Sequence, residues 1–154
     1  MKNILDPCSG PRMFYFNKAD PRVLFGDIRD ETHTLCDGRT LNISPDQVMD
    51  FRALPFADDS FQIVIFDPPH LRKAGETSWL RKKYGILSNN WEDDLQRGFA
   101  ECFRVLDKGG VLVFKWNETQ IKVSKILNLT PYKPLIGHQS GKRSDTHWIL
   151  FIKD

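Results

Sequence analysis

The stretch that most constrains the fold of this chain is F-Q-I-V-I-F-D-P-P-H, at residues 61–70. Residues 61–66 are almost continuously apolar and β-branched in the middle, which is typical of a strand buried on both faces of a parallel sheet. Pro68 and Pro69 have no backbone N–H, so we expect sheet pairing to stop at Asp67. Residues 111–114 (V-L-V-F) predict a second buried strand, and together the two strands favour a mainly parallel α/β sheet.

The elements between and around these strands follow from apolar periodicity and turn residues. The clearest helix starts near Asn90, which can cap it, and Lys108-Gly109-Gly110 is expected to end it. Asp37-Gly38 predicts a two-residue hairpin turn. Residues 71–90 are interpreted as a loop or lid. Other strands are predicted at 4–5, 22–25, 47–49, 133–137 and 147–152, the last two as an antiparallel pair, with helices at 11–16 and 120–127.

Size and composition restrict the class of protein. The chain has 154 residues and no linker or repeat, which predicts one domain (1–154) without a separate target-recognition domain. A net charge of +2 indicates no strong global field for nucleic acid or membrane. No signal-like leader or membrane-length apolar run occurs, and three scattered cysteines favour reduced thiols. We therefore expect a cytoplasmic protein with no membrane partner and no metal site.

Polar side chains stand where five of the predicted strands end. Because the carboxyl ends of parallel strands meet at one edge of a sheet, these side chains predict a ligand site there. Strand ends are polar in many proteins, and Asp27 or Asp50 alone carries little weight. Asp67 carries more, since a buried strand leads directly into it. The five residues are Asp6, Asp27, Asp50, Asp67 and Asn117.

Given these polar residues at the strand ends, the sequence resembles class I S-adenosylmethionine (SAM)-dependent methyltransferases, specifically those that act on exocyclic amino groups of nucleobases. Their [D/N]-P-P-[aromatic] motif is similar to D-P-P-H at 67–70, and their first motif to D-P-C-S-G at 6–10. The segment F-R-V-L-D-K-G-G-V-L-V-F (103–114) is similar to their following helix, turn and strand. Small phage and prophage methyltransferases are similar over the whole chain. The resemblance implies a Rossmann-like sheet, mostly parallel, with an antiparallel C-terminal hairpin and reduced flanking helices.

The same resemblance makes Asp67, Pro68, Pro69 and His70 the catalytic motif. The lone pair of an exocyclic amine is delocalised into its ring, so two acceptors on its N–H groups would favour a tetrahedral, nucleophilic nitrogen. Asp67 would supply a carboxylate and Pro68 a carbonyl on a stiff backbone. His70 replaces the usual aromatic residue and is expected to stack on the base, which would be flipped out of a duplex.

Residues of the cofactor site are also implied. Asp27 would accept hydrogen bonds from the ribose hydroxyls, and Asp50 from the adenine amino group, with Phe51 against the ring. Gly10 would admit the methionine end, and Arg12 would pair with its carboxylate. The predicted cofactor-binding set is Asp6, Pro7, Cys8, Ser9, Gly10, Arg12, Asp27, Asp50 and Phe51.

Residues 71–85 have the composition of a nucleic-acid contact, with five basic residues against Glu76 and two interleaved aromatics. A solvated loop is the alternative. Residues 138–147, with Lys142 and Arg143, form a second basic candidate. The predicted substrate-binding set is Arg72, Lys73, Trp79, Arg81, Lys82, Lys83, Tyr84, Trp116 and Asn117.

The sequence thus predicts methyl transfer from SAM to adenine N6 or cytosine N4, with DNA as the expected nucleic-acid partner and a homodimer or helper subunit as an open question. RNA, protein and small-molecule substrates stay open, as does a non-catalytic SAM-binding module. A dehydrogenase is disfavoured because no G-x-G-x-x-G follows the first strand.

Overall fold

The computed structural model describes residues 1–139 and 145–154, with residues 138 and 139 described by their backbone alone. Lys142 and Arg143 therefore lie outside the described residues. In chain order the strands are β1 (Ile4–Asp6), β2 (Val23–Asp27), β3 (Glu31–Thr34), β4 (Thr40–Ile43), β5 (Gln47–Val48), β6 (Phe61–Phe66), β7 (Leu106–Asn117), β8 (Ile136–Gln139) and β9 (Thr146–Ile152). The helices are α1 (Trp79–Tyr84), α2 (Trp91–Val105) and α3 (Val123–Leu127).

Seven of these strands form one sheet in the order β5-β2-β1-β6-β7-β9-β8. Pairing is parallel from β5 through β7, and β9 runs antiparallel to both β7 and β8. The predicted fold, a mostly parallel sheet with an antiparallel C-terminal hairpin and few helices, is confirmed. Strands β3 and β4 form a separate hairpin, as predicted, but not with a two-residue turn. The Gly38 N–H donates to the Leu35 carbonyl at 2.9 Å, so Cys36 and Asp37 are the central residues of the turn and Gly38 follows it with a φ of 82°. The parallel order brings the carboxyl ends of β1, β2 and β6 to one edge.

The core lies where α2 packs on β6 and β7. Phe99 of α2 contacts Phe66 and Phe114 with ring centroids 5.3 and 5.0 Å apart. On the same helix, a Cβ at Gly98 would lie 2.6 Å from the Phe51 ring and 2.8 Å from the Phe66 ring. Gly98 therefore lets two aromatic rings approach the helix backbone, and one of them belongs to Phe66, the last residue of β6 before Asp67.

Three other local predictions were wrong. Residues 11–16 form turns and bends instead of a helix, because Arg12 has a φ of 57°, outside the right-handed helical region. The Asn90 side chain makes no capping hydrogen bond at the start of α2. That helix ends at Val105, before Lys108-Gly109-Gly110, because β7 pairing already begins at Leu106.

Residues 71–90, interpreted as a loop or lid, contain the short helix α1. In the described part of the chain, no helix is long and apolar enough to cross a membrane.

Candidate active site

A cavity of about 620 Å³ opens at the carboxyl ends of the parallel strands. Its wall combines the loop after β1, the ends of β2 and β5, the loop after β6, and α1. The predicted residues that line it are Pro7, Cys8, Ser9, Gly10, Asp27, Asp50, Phe51, Asp67, Pro68, Pro69, Arg81, Lys82, Lys83 and Tyr84. The fold thus brings most of the predicted catalytic and cofactor-binding residues, and part of the predicted substrate-binding set, to one place.

Asp67 follows β6 and faces this cavity with a side chain that is only 14% exposed. Burial raises the pKa of its carboxyl from the ordinary 3.8 to about 6, and the nearby Lys115 ammonium opposes that rise. The carboxyl is therefore mostly ionised at neutral pH while remaining largely shielded from water. An ionised, poorly hydrated carboxylate is a strong hydrogen-bond acceptor.

Lys115 is a site residue that the sequence analysis missed. Phe66 of β6 is the register partner of Phe114 of β7, so the next residues, Asp67 and Lys115, lie side by side. The Lys115 Nζ is 3.4 Å from Asp67 Oδ2. The signal was present in the sequence, since Asp67 and Lys115 each directly follow a predicted apolar strand, but pairing them requires the register.

Asp27, at the end of β2, is buried and already accepts hydrogen bonds from the protein. Its Oδ2 accepts the Gly10 N–H at 2.9 Å, and its Oδ1 accepts the Arg29 N–H at 3.0 Å. The Arg29 guanidinium also reaches Asp27 at 3.3 Å and donates to the Lys82 carbonyl at 2.8 Å. Arg29, which the sequence analysis missed, therefore ties the end of α1 to the predicted ribose-binding acid.

Asp50 lies beyond β5 and is held by Arg52. The Arg52 guanidinium donates to Asp50 Oδ2 at 2.6 Å, and this hydrogen bond lowers the pKa of the Asp50 carboxyl. Phe51, the next residue, packs edge-on against Phe66 with centroids 5.4 Å apart. The acid and the ring predicted to contact adenine thus lie on the same cavity wall.

Two buried polar side chains, one at the end of β1 and one in the loop after it, differ in whether they have a hydrogen-bond partner. Asp6 is fully buried, accepts the Tyr15 O–H at 2.8 Å and does not line the cavity. Burial raises the pKa of its carboxyl to about 7, although the Tyr15 hydrogen bond opposes that rise. Ser9 is 4% exposed and lines the cavity, and its Oγ has no hydrogen-bond partner among the described residues.

Besides Asp6 and part of the basic segment, four predicted site residues do not line the cavity. Arg12 donates to the Lys18 and Ser44 carbonyls at 2.6 and 2.8 Å. Trp116 is a core residue, 1% exposed, whose indole donates to the Ile121 carbonyl. The other two are His70, whose ring contacts Tyr84 and Trp116, and Asn117, whose amide donates to Thr146.

Burial and the Lys115 charge lower the pKa of His70 to about 4, so its imidazole is neutral at neutral pH. With its ring on Tyr84 and Trp116, His70 supports the aromatic wall from outside the cavity.

Only part of the basic segment, residues 71–85, lies at the cavity. Arg81, Lys82, Lys83 and Tyr84, at the end of α1, line the cavity. Lys83 lies over the rings of Trp79 and Tyr84 at 5.0 and 4.9 Å. Arg72, Lys73 and Trp79 stand away from the cavity wall, and the Gln120 side chain holds the backbone at 72 and 73.

A scan of family models and a search of curated proteins found no match to this sequence. Solved structures do match it over nearly the whole chain. The PH0226 protein of Pyrococcus horikoshii aligns with a TM-score of 0.62 at 13% identity, covering 98% of this chain and 81% of that one. A TehB-like SAM-dependent methyltransferase of Corynebacterium glutamicum aligns with a TM-score of 0.62 at 16% identity, covering 98% and 79%. A SAM-dependent methyltransferase of Methanosarcina mazei aligns with a TM-score of 0.56 at 12% identity, covering 99% and 93%.

Likeness at such low identity establishes the fold and leaves the substrate to be argued from the site. The donor set fits the cofactor of that fold, since carboxylates, a buried serine hydroxyl without a partner and an aromatic ring line one cavity. The chain has the fold of the SAM-dependent methyltransferases among these structures.

Proposed function

We propose that this chain is a SAM-dependent methyltransferase that methylates an exocyclic amino group of a nucleobase, adenine N6 or cytosine N4, in DNA. The observation that carries the proposal is the composition of one cavity wall. Asp67-Pro68-Pro69 and the basic, aromatic end of α1 line the same cavity. The first set suits a planar amine, and the second suits the nucleotide that carries it.

The catalytic argument rests on Asp67 and Pro68. SAM, when bound, would supply a methyl group on a sulfonium, which leaves as a neutral thioether as the N–C bond forms, and the methylated nitrogen then releases one N–H proton to water. The Asp67 carboxylate, ionised above about pH 6, would accept one N–H of the target amine. The Pro68 carbonyl would accept the other, and proline adds no competing donor. Two fixed acceptors would hold the nitrogen in line for attack.

The cofactor argument rests on acceptors that keep free lone pairs. Each carboxylate oxygen can accept about two hydrogen bonds. Asp27 Oδ2 accepts the Gly10 N–H alone among the described residues, so we assign it to a ribose hydroxyl. Phe51 would contact the adenine ring, and the Ser9 hydroxyl would bond to the methionine end. Arg12 already donates to the Lys18 and Ser44 carbonyls, so we do not assign it to the methionine carboxylate.

The nucleic-acid argument rests on α1. Arg81, Lys82 and Lys83 place three positive charges beside Tyr84 at the cavity, which suits phosphates next to an unstacked base. Tyr84 lines the cavity while His70 supports it, so we assign base stacking to Tyr84. The basic surface is small, and a helper subunit or a second copy of the chain would extend it.

The test is transfer of a labelled methyl group from SAM to single- and double-stranded DNA and to RNA, followed by mass spectrometry of the nucleosides. We expect methylated adenine or cytosine from DNA. Asp67→Ala should lower the rate by at least about a hundredfold, the scale of losing one fixed polar group in a transition state. Calorimetry with S-adenosylhomocysteine should show that this variant retains most cofactor binding.

Asp30→Ala, at an exposed acid, is the matched control and should retain full activity. An active Asp67→Ala variant would contradict the catalytic role of Asp67. Label in RNA, protein or a small molecule, with none in DNA, would replace DNA as the substrate. Binding of S-adenosylhomocysteine without transfer to any of them would instead indicate a non-catalytic module.

A further inference from the structure

We infer that Lys115 is a specificity-determining residue, which donates a hydrogen bond to the ring nitrogen beside the target amine while Asp67 accepts from the amine itself. The inference rests on the proposed function and adds to it a means of recognising the base.

The first step is the position of Lys115. The register of β6 and β7 sets it beside Asp67, with Nζ 3.4 Å from Oδ2, and both residues line the cavity. Lys115 is the register partner of Trp148 on β9, so two neighbouring strands fix its backbone. A side chain held this way presents its ammonium at a defined place next to the proposed acceptor.

The second step is the number of free donors. A lysine ammonium has three N–H donors. In the described part of the chain, Asp67 is the only hydrogen-bond acceptor that Lys115 reaches. The other neighbours of Nζ are the rings of Phe14, Tyr84 and Trp148, at 5.3, 5.8 and 5.7 Å. These rings stabilise the charge without a conventional acceptor. Donors therefore remain for a group that enters the cavity.

The third step is complementarity. The target amine of adenine lies next to N1, an acceptor, and that of cytosine lies next to N3, also an acceptor. The cavity offers the reverse order, the Asp67 acceptor beside the Lys115 donor. A simple alkylamine has no acceptor beside its nitrogen and would leave the ammonium donors unpaired. Sites built to bond a substrate group discriminate strongly against analogues that lack it.

The experiment replaces the ring nitrogen by carbon in the substrate. Oligonucleotides carrying adenine or 1-deazaadenine at the methylated position are compared for wild type, Lys115→Met and Lys115→Arg at pH 8, where Asp67 is ionised. A cytosine target would use 3-deazacytosine in the same way. Deaza substitution also changes the intrinsic reactivity of the amine, and comparing the kcat/KM ratio between variants cancels that change.

The wild type should prefer the normal base, and Lys115→Met should reduce that preference by about tenfold to a hundredfold, the scale of one hydrogen bond from a charged donor. Lys115→Arg keeps a donor and should retain most of the preference. Lys83→Met removes another cavity lysine, which lies on rings without a carboxylate partner among the described residues. It should leave the ratio unchanged, whatever its effect on the rate.

An equal preference in wild type and Lys115→Met overturns the inference and leaves the proposed function intact. Failure of the wild type to methylate the normal oligonucleotide overturns both. A second measurement needs no variant: the wild type with S-adenosylhomocysteine bound should bind the normal oligonucleotide more tightly than the deaza one, and equal affinities overturn the inference.

Discussion

Replacing Asp67 by asparagine should make the protein more stable at pH 8. The pKa of the Asp67 carboxyl rises from 3.8 to about 6 on folding, and burial is the largest cause. Each pKa unit corresponds to about 1.36 kcal/mol. The ionised carboxylate therefore costs the folded state about 3 kcal/mol, which asparagine of nearly the same shape would not.

The sign of the pH dependence follows from linkage. Between about pH 4 and pH 6 the folded protein binds the Asp67 proton more tightly than the unfolded chain does. The free energy of unfolding contributed by this group falls as pH rises through that window. Asp67→Asn has no such group, so its advantage over wild type should grow from about pH 4, reach its full value above about pH 6, and vanish in acid.

Urea unfolding of both proteins from pH 4 to pH 8 measures this difference. Asp30→Asn, at an exposed acid, is the control and should follow the wild type at every pH. If Asp67→Asn were no more stable than wild type at pH 8, the Lys115 ion pair would outweigh the burial of Asp67. The conclusion that burial of the ionised Asp67 carboxylate destabilises the folded protein would then be wrong.

Two further predictions concern the support of the site. Gly98→Ala should lower the free energy of unfolding, measured by urea denaturation, by about 1–3 kcal/mol, since its Cβ would lie 2.6 Å from the Phe51 ring. Gly75→Ala, where a Cβ would meet open space, is the control, and equal effects of the two substitutions would contradict the argument. Arg29→Ala should speed amide hydrogen exchange over 79–85, because α1 loses its link to Asp27. Arg39→Ala, on an exposed hairpin, should not, and unchanged exchange in Arg29→Ala would refute the link.

Much of the fold could be predicted from local patterns. The buried strand before Asp67, the Asp37-Gly38 hairpin and the antiparallel C-terminal pair each have a signal within about twenty residues of sequence. The predicted helix at 11–16 failed because a positive φ at Arg12 is set by the loop around it, and the residue type gives no sign of it. Loop conformation depends on long-range contacts that a local pattern does not contain.

The candidate site, too, could be predicted only in part from the sequence. The acids at strand ends could be predicted because parallel strands share an edge. Lys115 and Arg29 could not, since their partners lie 48 and 53 residues away in sequence and depend on the exact register and on the path of α1. Trp116, predicted to bind substrate, instead lies in the core, because side chains alternate along β7 and its neighbour Lys115 has the cavity side.

The position of β9 has a consequence for how the protein is made. β9 hydrogen-bonds to β7 on one side and to β8 on the other, so the sheet closes only when residues 146–152 insert between strands that precede them. Until then the full edge of β7 has no partner, and an unpaired apolar edge is a template for aggregation. A nascent chain whose synthesis stops before residue 146 should therefore need a chaperone to stay in solution. A chain whose β9 has emerged from the ribosome should not.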